Sequence, residues 1–169
     1  MSDEIRFSPW VSWVNRNNLA GKGKADMGGV YLFARFEHEP TLALADPLEK
    51  SIVYIGQSSR RTFKSRWDPF ERYLKANKGK GRAKRYRELF GGDLSHLYVS
   101  TLPFTELLRA FLKLAPCSFL DINCSSAEVV VTDKFEFTNV DDLLIKYVER
   151  RLILLYALHH GYRPILNID

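Results

Sequence analysis

The sequence predicts a small α/β (α+β) domain, on three observations. Three short runs, GGVYLFARFE, SIVYIGQS and SHLYVSTL, are rich in β-branched and aromatic residues and read as strands. The segments between and after them carry apolar residues at helical spacing. A chain of 169 residues, 46% apolar and 27% charged, suits one domain with a core of its own.

The elements follow in chain order. SPWVSWVNRN begins with Ser8 as a candidate N-cap and Pro9 at the first helical position, and Trp10, Trp13 and Val14 share a face, so a short helix is predicted. NLAGKGKADMGG is a glycine-punctuated loop holding Lys22 and Lys24. The first two strands are joined by a long connection with two prolines, a length more often met in functional or mobile loops. Ser58 or Ser59 then caps a helix whose apolar residues fall at Phe63, Trp67, Phe70 and Leu74. Within it, Asp68, Pro69 and Glu71 form a fresh helix-start signature, which predicts a break or kink near Asp68. A basic turn and a short basic helix follow, ended by Gly91 or Gly92. After the third strand comes a helix in FTELLRAFLKLA, and then SFLDINCSSAEVVVTDKFEF, which reads as a strand or an extended insertion. The longest helix lies in TNVDDLLIKYVERRLILLYALHHG, capped by Thr138 or Asn139, with acids in its first turn and histidines in its last.

Composition narrows the function classes. No apolar run is long enough to span a bilayer, and MSDEIRFSPW lacks the layout of a signal peptide, so a cytoplasmic protein is expected, with no membrane partner. Cys117 and Cys124 read as ordinary small side chains; two thiols without clustered histidines do not make a zinc site. The net charge of +5 is unevenly placed. Residues 60–88 hold twelve Lys/Arg against three acids, a net +9, which leaves thirteen basic and seventeen acidic residues, a net −4, to the rest. Such a stripe on a neutral or acidic body is the footprint of a polyanion binder, although a solvated basic helix has the same composition.

Four side chains stand out individually, each with a bland reading beside a functional one. Glu149 shares a helical stripe with Ile145, Leu152, Ile153 and Tyr156, where a carboxylate is costly unless paired, hydrogen-bonded or metal-bound. Arg66 lies between Phe63 and Phe70, so it either snorkels or is aimed into a pocket. Tyr31 and Tyr54 are strand tyrosines that packing alone could explain.

Taken in series, these residues resemble a known family. Gly29-Val30-Tyr31, then Tyr54-Ile55-Gly56, then an arginine in the next helix, a late helical glutamate, and Pro164-x-Leu166-Asn167 resemble the GIY-YIG nuclease domain, in the family's order and over about residues 28–168. The resemblance implies a single domain over 1–169, with a helical extension over 1–27. It implies a three-stranded antiparallel sheet flanked by helices, and a phosphodiesterase using one divalent metal, Mg²⁺ or Mn²⁺. By matching position, Glu149 is implied as the metal ligand and Tyr31 as the residue that helps deprotonate the attacking water. Tyr54 is implied as its partner in the water and phosphate network, and Arg66 as the cation on the phosphate. Gly56 is implied to let backbone or phosphate come close, Gly29 to support the site, and Asn167 to tie down the end of the domain.

The chain also departs from the family pattern. The gap between the tyrosine triplets is long, which points to an insertion at 37–50; a second is read at 116–137. Arg66 falls late after Tyr54-Ile55-Gly56, so Arg61 is an alternative for the catalytic arginine. Many members carry a histidine one turn after that arginine; here Phe70 occupies the place, and His38, His96, His159 and His160 read as structural or surface residues. The expected activity is a metal-dependent endonuclease on nucleic acid, DNA ahead of RNA, with a non-catalytic nucleic-acid-binding module on the same fold as the alternative. The expected contacts to nucleic acid come from Arg61, Lys64, Lys75, Lys78, Lys80, Arg82, Lys84, Arg85 and Arg87. Phosphate contacts carry little sequence information, so specificity is expected to be weak, or supplied by a homodimer or a partner protein.

Overall fold

In β2 (Gly29–Arg35) the alternation of side chains decides the architecture. Val30, Leu32 and Ala34 join one buried cluster, and Tyr31 and Phe33 join another. The strand is therefore covered on both faces. This is a computed structural model, and it describes residues 6–19, 28–41, 43–76, 81–108 and 139–167.

The sheet is antiparallel and four-stranded, in the order β1-β4-β2-β3, with β1 at Val11–Ser12, β3 at Ile52–Ser58 and β4 at Leu97–Pro103. The expected three strands are thus present, and a fourth is added. Val11 pairs with Val99 and Ser12 with Tyr98. The short helix expected from Ser8 does not form there. The backbone N–H of Ser8 donates to Thr101 O at 2.9 Å, and the Ser8 hydroxyl accepts from the Thr101 N–H at 3.0 Å, so the would-be cap is spent on the edge of β4. A 3₁₀ turn over Trp13–Asn18 follows. It buries Trp13 against Phe33 and Phe70, while Val14 is left 77% exposed. Docking of one large indole thus overrides the local helical pattern.

The helix α1 (Phe63–Lys75) also differs from expectation. Its cap is Thr62, whose hydroxyl accepts from the Ser65 N–H at 3.1 Å; Ser58 instead bonds the carbonyls of Arg61 and Thr62. The predicted break near Asp68 is absent, and α1 runs through Pro69. An internal proline costs a helix about 3 kcal/mol. The four buried residues Phe63, Trp67, Phe70 and Leu74 straddle it, each contributing about 1.5–3 kcal/mol on burial, so packing wins. The helix α2 (Arg82–Phe90) ends, as its sequence predicts, at Gly91, with φ of +64°.

Residues 104–108 are helical, as the third strand's follower should be; the rest of that helix, the 116–137 segment and both cysteines lie outside the described residues. The long helix, α3 (Asn139–His160), forms as predicted. It packs Ile145 and Tyr156 into the aliphatic cluster with Val30, Leu32 and Ile55. The tail returns to the free edge of β3. Leu166 N–H donates to Val53 O at 2.9 Å, and the Asn167 amide both accepts from Ile55 N–H at 2.8 Å and donates to Ile55 O at 2.7 Å. That pairing covers an edge strand that would otherwise be open. Among the described residues no helix is long and apolar enough to cross a membrane.

Candidate active site

Register brings the two tyrosines together. Tyr31 pairs directly with Gly56, and Phe33 pairs with Tyr54, so Tyr31, Tyr54 and Gly56 lie on one face of β2 and β3. The Tyr31 and Tyr54 rings are 5.9 Å apart between centroids, inclined at 48°. Gly56 makes this possible: a Cβ there would lie 2.8 Å from Tyr31 Cζ and 2.9 Å from Tyr31 Oη, closer than real side chains come. Gly29 has a different reason. Its φ is +149°, and a Cβ would lie 2.9 Å from the Phe104 nitrogen, so it fixes the passage into β2 rather than touching the tyrosines.

Arg66 comes from α1 on the same side of the sheet as Phe63, Trp67 and Phe70. Its Nε, like that of Arg16, is buried with no hydrogen-bond partner among the described residues. It lines a cleft of about 300 Å³ with Arg61, Ser65, Phe70, Tyr73 and Arg82. Arg61 is exposed at the mouth of that cleft, and the half-buried Arg66 lies deeper in it. Phe70, at the place of the family's histidine, is buried core.

Glu149 is half-buried on α3, between the fully buried Ile145 and Tyr156. Burial raises its carboxyl above the ordinary range, and the charges of Arg82 and Arg66 act against that rise. The Tyr54 phenol is pushed up mainly by burial and then by Tyr31, so it stays protonated at any physiological pH. Among the described residues Glu149 and Arg66 form no ion pair, whereas Asp142, on the same helix, pairs with Lys146 at 2.7 Å and Arg60 at 3.2 Å.

The connection that sequence reasoning missed is that of Arg82 with the two tyrosines. Arg82 was expected as one contact among many in a basic stripe. Its Nη1 instead donates to Tyr31 Oη at 3.1 Å, and its Cζ sits 4.4 Å above the Tyr54 ring. The signal was available: Arg82 shares the buried face of α2 with Ala83 and Tyr86, as Arg66 shares that of α1 with its phenylalanines.

The rest of the stripe divides. Arg85 Nε donates to Ile165 O at 2.9 Å, tying α2 to the tail, and Arg87 Nη1 reaches Tyr73 O at 3.4 Å, tying α2 to α1. Lys75 pairs with Glu71, and Lys84 with Glu88 at 3.6 Å. Lys64 is exposed. Lys22, Lys24, Lys78 and Lys80 lie outside the described residues. Of the histidines, His96 contacts Phe36 O at 3.1 Å and His160 contacts Leu48 O at 2.7 Å, both far in sequence from the tyrosine pair.

Among the described residues no three His, Cys, Asp or Glu side chains gather as a preformed metal cage. The donor set is one carboxylate beside two phenols. That suits a hard divalent cation which keeps its waters and takes substrate phosphate oxygens, and it does not suit a structural metal. No family model matches the chain, and neither does any curated protein or solved structure.

Proposed function

We propose that this protein is a metal-dependent endonuclease of the GIY-YIG type, hydrolysing phosphodiester bonds in DNA. The observation that carries the reading is that Tyr31 and Tyr54 share one sheet face beside Gly56, while Glu149 from α3 and Arg66 from α1 are near enough for their charges to act on Tyr54.

In this reading Glu149 is the carboxylate that would hold Mg²⁺ or Mn²⁺. The bound cation supplies charge neutralisation at the phosphate and at the leaving oxygen. Arg66 offers its guanidinium to a non-bridging phosphate oxygen, where a planar fork fits better than an ammonium. Tyr54, kept protonated by burial, donates its hydroxyl hydrogen to the water or phosphate network. Tyr31, oriented by the hydrogen bond it accepts from Arg82, is the group through which the attacking water passes its proton. The water oxygen forms the new bond to phosphorus, the bond to the leaving sugar oxygen breaks, and that oxygen takes up a proton. Asn167 has no part in the chemistry. It clamps β3 at Ile55, one residue from both Tyr54 and Gly56, and so holds the register of the tyrosine pair. The exposed Lys64, Lys84 and Arg61 supply affinity for the backbone without reading bases.

The test is incubation of supercoiled plasmid with purified protein and Mg²⁺ or Mn²⁺, beside Glu149→Ala and an EDTA control. Nicking or linearisation that requires the metal and is absent in the variant is expected. No cleavage by any of them, with salt-sensitive DNA binding kept by both proteins, would replace the nuclease with a nucleic-acid-binding module.

A further inference from the structure

We propose that Arg82 is a second phosphate-binding arginine of the cleft, gripping the same phosphodiester as Arg66 from the opposite helix. This rests on the cleft being the phosphate site of the proposed nuclease, and it adds a group that the sequence motifs do not contain. Arg82 opens α2 and Arg66 sits in the first half of α1, and both line the 300 Å³ cleft. Among the described residues neither forms an ion pair, and Arg82 makes one hydrogen bond, through Nη1 to Tyr31 Oη. A guanidinium has five N–H donors. Most of those on Arg82 are uncommitted, and Arg66 Nε is buried without an acceptor.

Two cations on one small cleft repel each other unless an anion joins them. Glu149 is the acid whose charge acts on both, and one carboxylate is fewer than two guanidinium groups need. A tetrahedral phosphodiester has two non-bridging oxygens, one for each arginine. Cations stacked on aromatic faces are held in place at little cost in mobility, and Arg82 is so held, over Tyr54. It is thus arranged before a ligand arrives, which lowers the ordering cost of binding. The same guanidinium fixes Tyr31, so phosphate contact and phenol orientation are coupled through one side chain. Phe70 occupies the position one turn beyond Arg66, and α2 contributes Arg82 to the same cleft.

The experiment is a titration of the isotopically labelled full chain with inorganic phosphate, in EDTA, following the arginine Nε–H signals by NMR. The signals of Arg66 and Arg82 are expected to move together and saturate at one phosphate concentration, while that of Arg35, hydrogen-bonded to Tyr86 and Asp93, stays still. An Arg82 signal that does not follow that of Arg66 overturns the proposal, even if the protein cleaves DNA. Coupled movement without metal-dependent cleavage keeps the proposal and removes the nuclease. A second measurement uses duplex DNA and the variants Arg82→Lys and Arg82→Gln. If each folds, the salt slope of binding falls by about one phosphate contact in Arg82→Gln and is restored in Arg82→Lys. Unchanged slopes in both overturn the proposal. A purely structural Arg82 would alter stability and leave the slope as it is.

Discussion

Asp142 and Glu149 are two carboxylates on the same helix, two turns apart, and their ionisation moves in opposite directions. Asp142 lies at the start of α3, and hydrogen bonds from Lys146 and Ser59 hold its carboxyl down at about 2. Glu149 is raised, and burial is the main cause. Asp142 has two cations within ion-pair distance, and Glu149 has none among the described residues. Partners lower the one carboxyl and burial raises the other. A carboxylate paired with cations inside the protein has structure to maintain, and one without such partners can take a ligand from outside.

Four predictions test that contrast, beginning with the largest effect. Ile145 is fully buried between the two acids and anchors the helix that carries both. Ile145→Ala is expected to lose about 2–5 kcal/mol in urea denaturation, through lost burial and the cavity left behind. A loss below the cost of a surface change would mean that α3 is not anchored there.

Glu149→Gln is expected to lower metal-dependent cleavage by at least about 100-fold, the scale seen when one preorganised electrostatic group is removed. Its stability should rise rather than fall at neutral pH. A carboxyl raised above its unfolded value binds its proton more tightly in the folded state, so wild-type stability falls as pH climbs above about 4.5. The advantage of the variant should therefore shrink as pH is lowered toward 4.5. Stability curves of the two proteins that run parallel across pH would contradict the raised value.

Gly56→Ala is expected to destabilise by about 1–3 kcal/mol, since the new methyl group must displace both tyrosine rings. It should also weaken cleavage per folded molecule, which separates it from Ile145→Ala, where surviving folded protein should cleave normally. Equal effects of the two on activity per folded molecule would mean that the tyrosine pair is core alone.

Asp142→Asn should show the smallest effect and the opposite pH sign to Glu149→Gln. A depressed carboxyl contributes stability above its unfolded value, near 3.8, and loses it as pH falls toward 2. The difference between wild type and Asp142→Asn should be present at neutral pH and vanish in that acid window. Arg60 is 71% exposed, so this network is screened and the difference is modest. Cleavage per folded molecule should be unchanged.

Much of this arrangement was legible before any coordinates. The strands at Tyr31, Tyr54 and Val99, the buried stripe of α1 and the ends of α2 and α3 follow from alternation, helical spacing and caps, which are properties of a few neighbouring residues. Glu149 and Arg66 were conspicuous for a related reason: each breaks a local apolar pattern, and such a break shows in one dimension. The misreadings were also physical. Ser8 and Pro9 make a proper helix start, and Asp68 and Pro69 make another, but the hydrogen bonds to Thr101 and the packing of Trp13 and Trp67 outweigh both signals.

Arg82 marks the boundary between the two kinds of knowledge. Its charge, its place at the head of a basic helix and its kinship with the rest of the stripe are written in the chain. Nothing within several residues of it says that Arg82 would reach Tyr31 while Arg85 is drawn to the carbonyl of Ile165. Those partners lie 51 and 80 positions away. Only the docking of α2 against α1 and the returning tail brings them within 3.1 and 2.9 Å, because side-chain hydrogen bonds act over distances far shorter than the separations that the fold has to close.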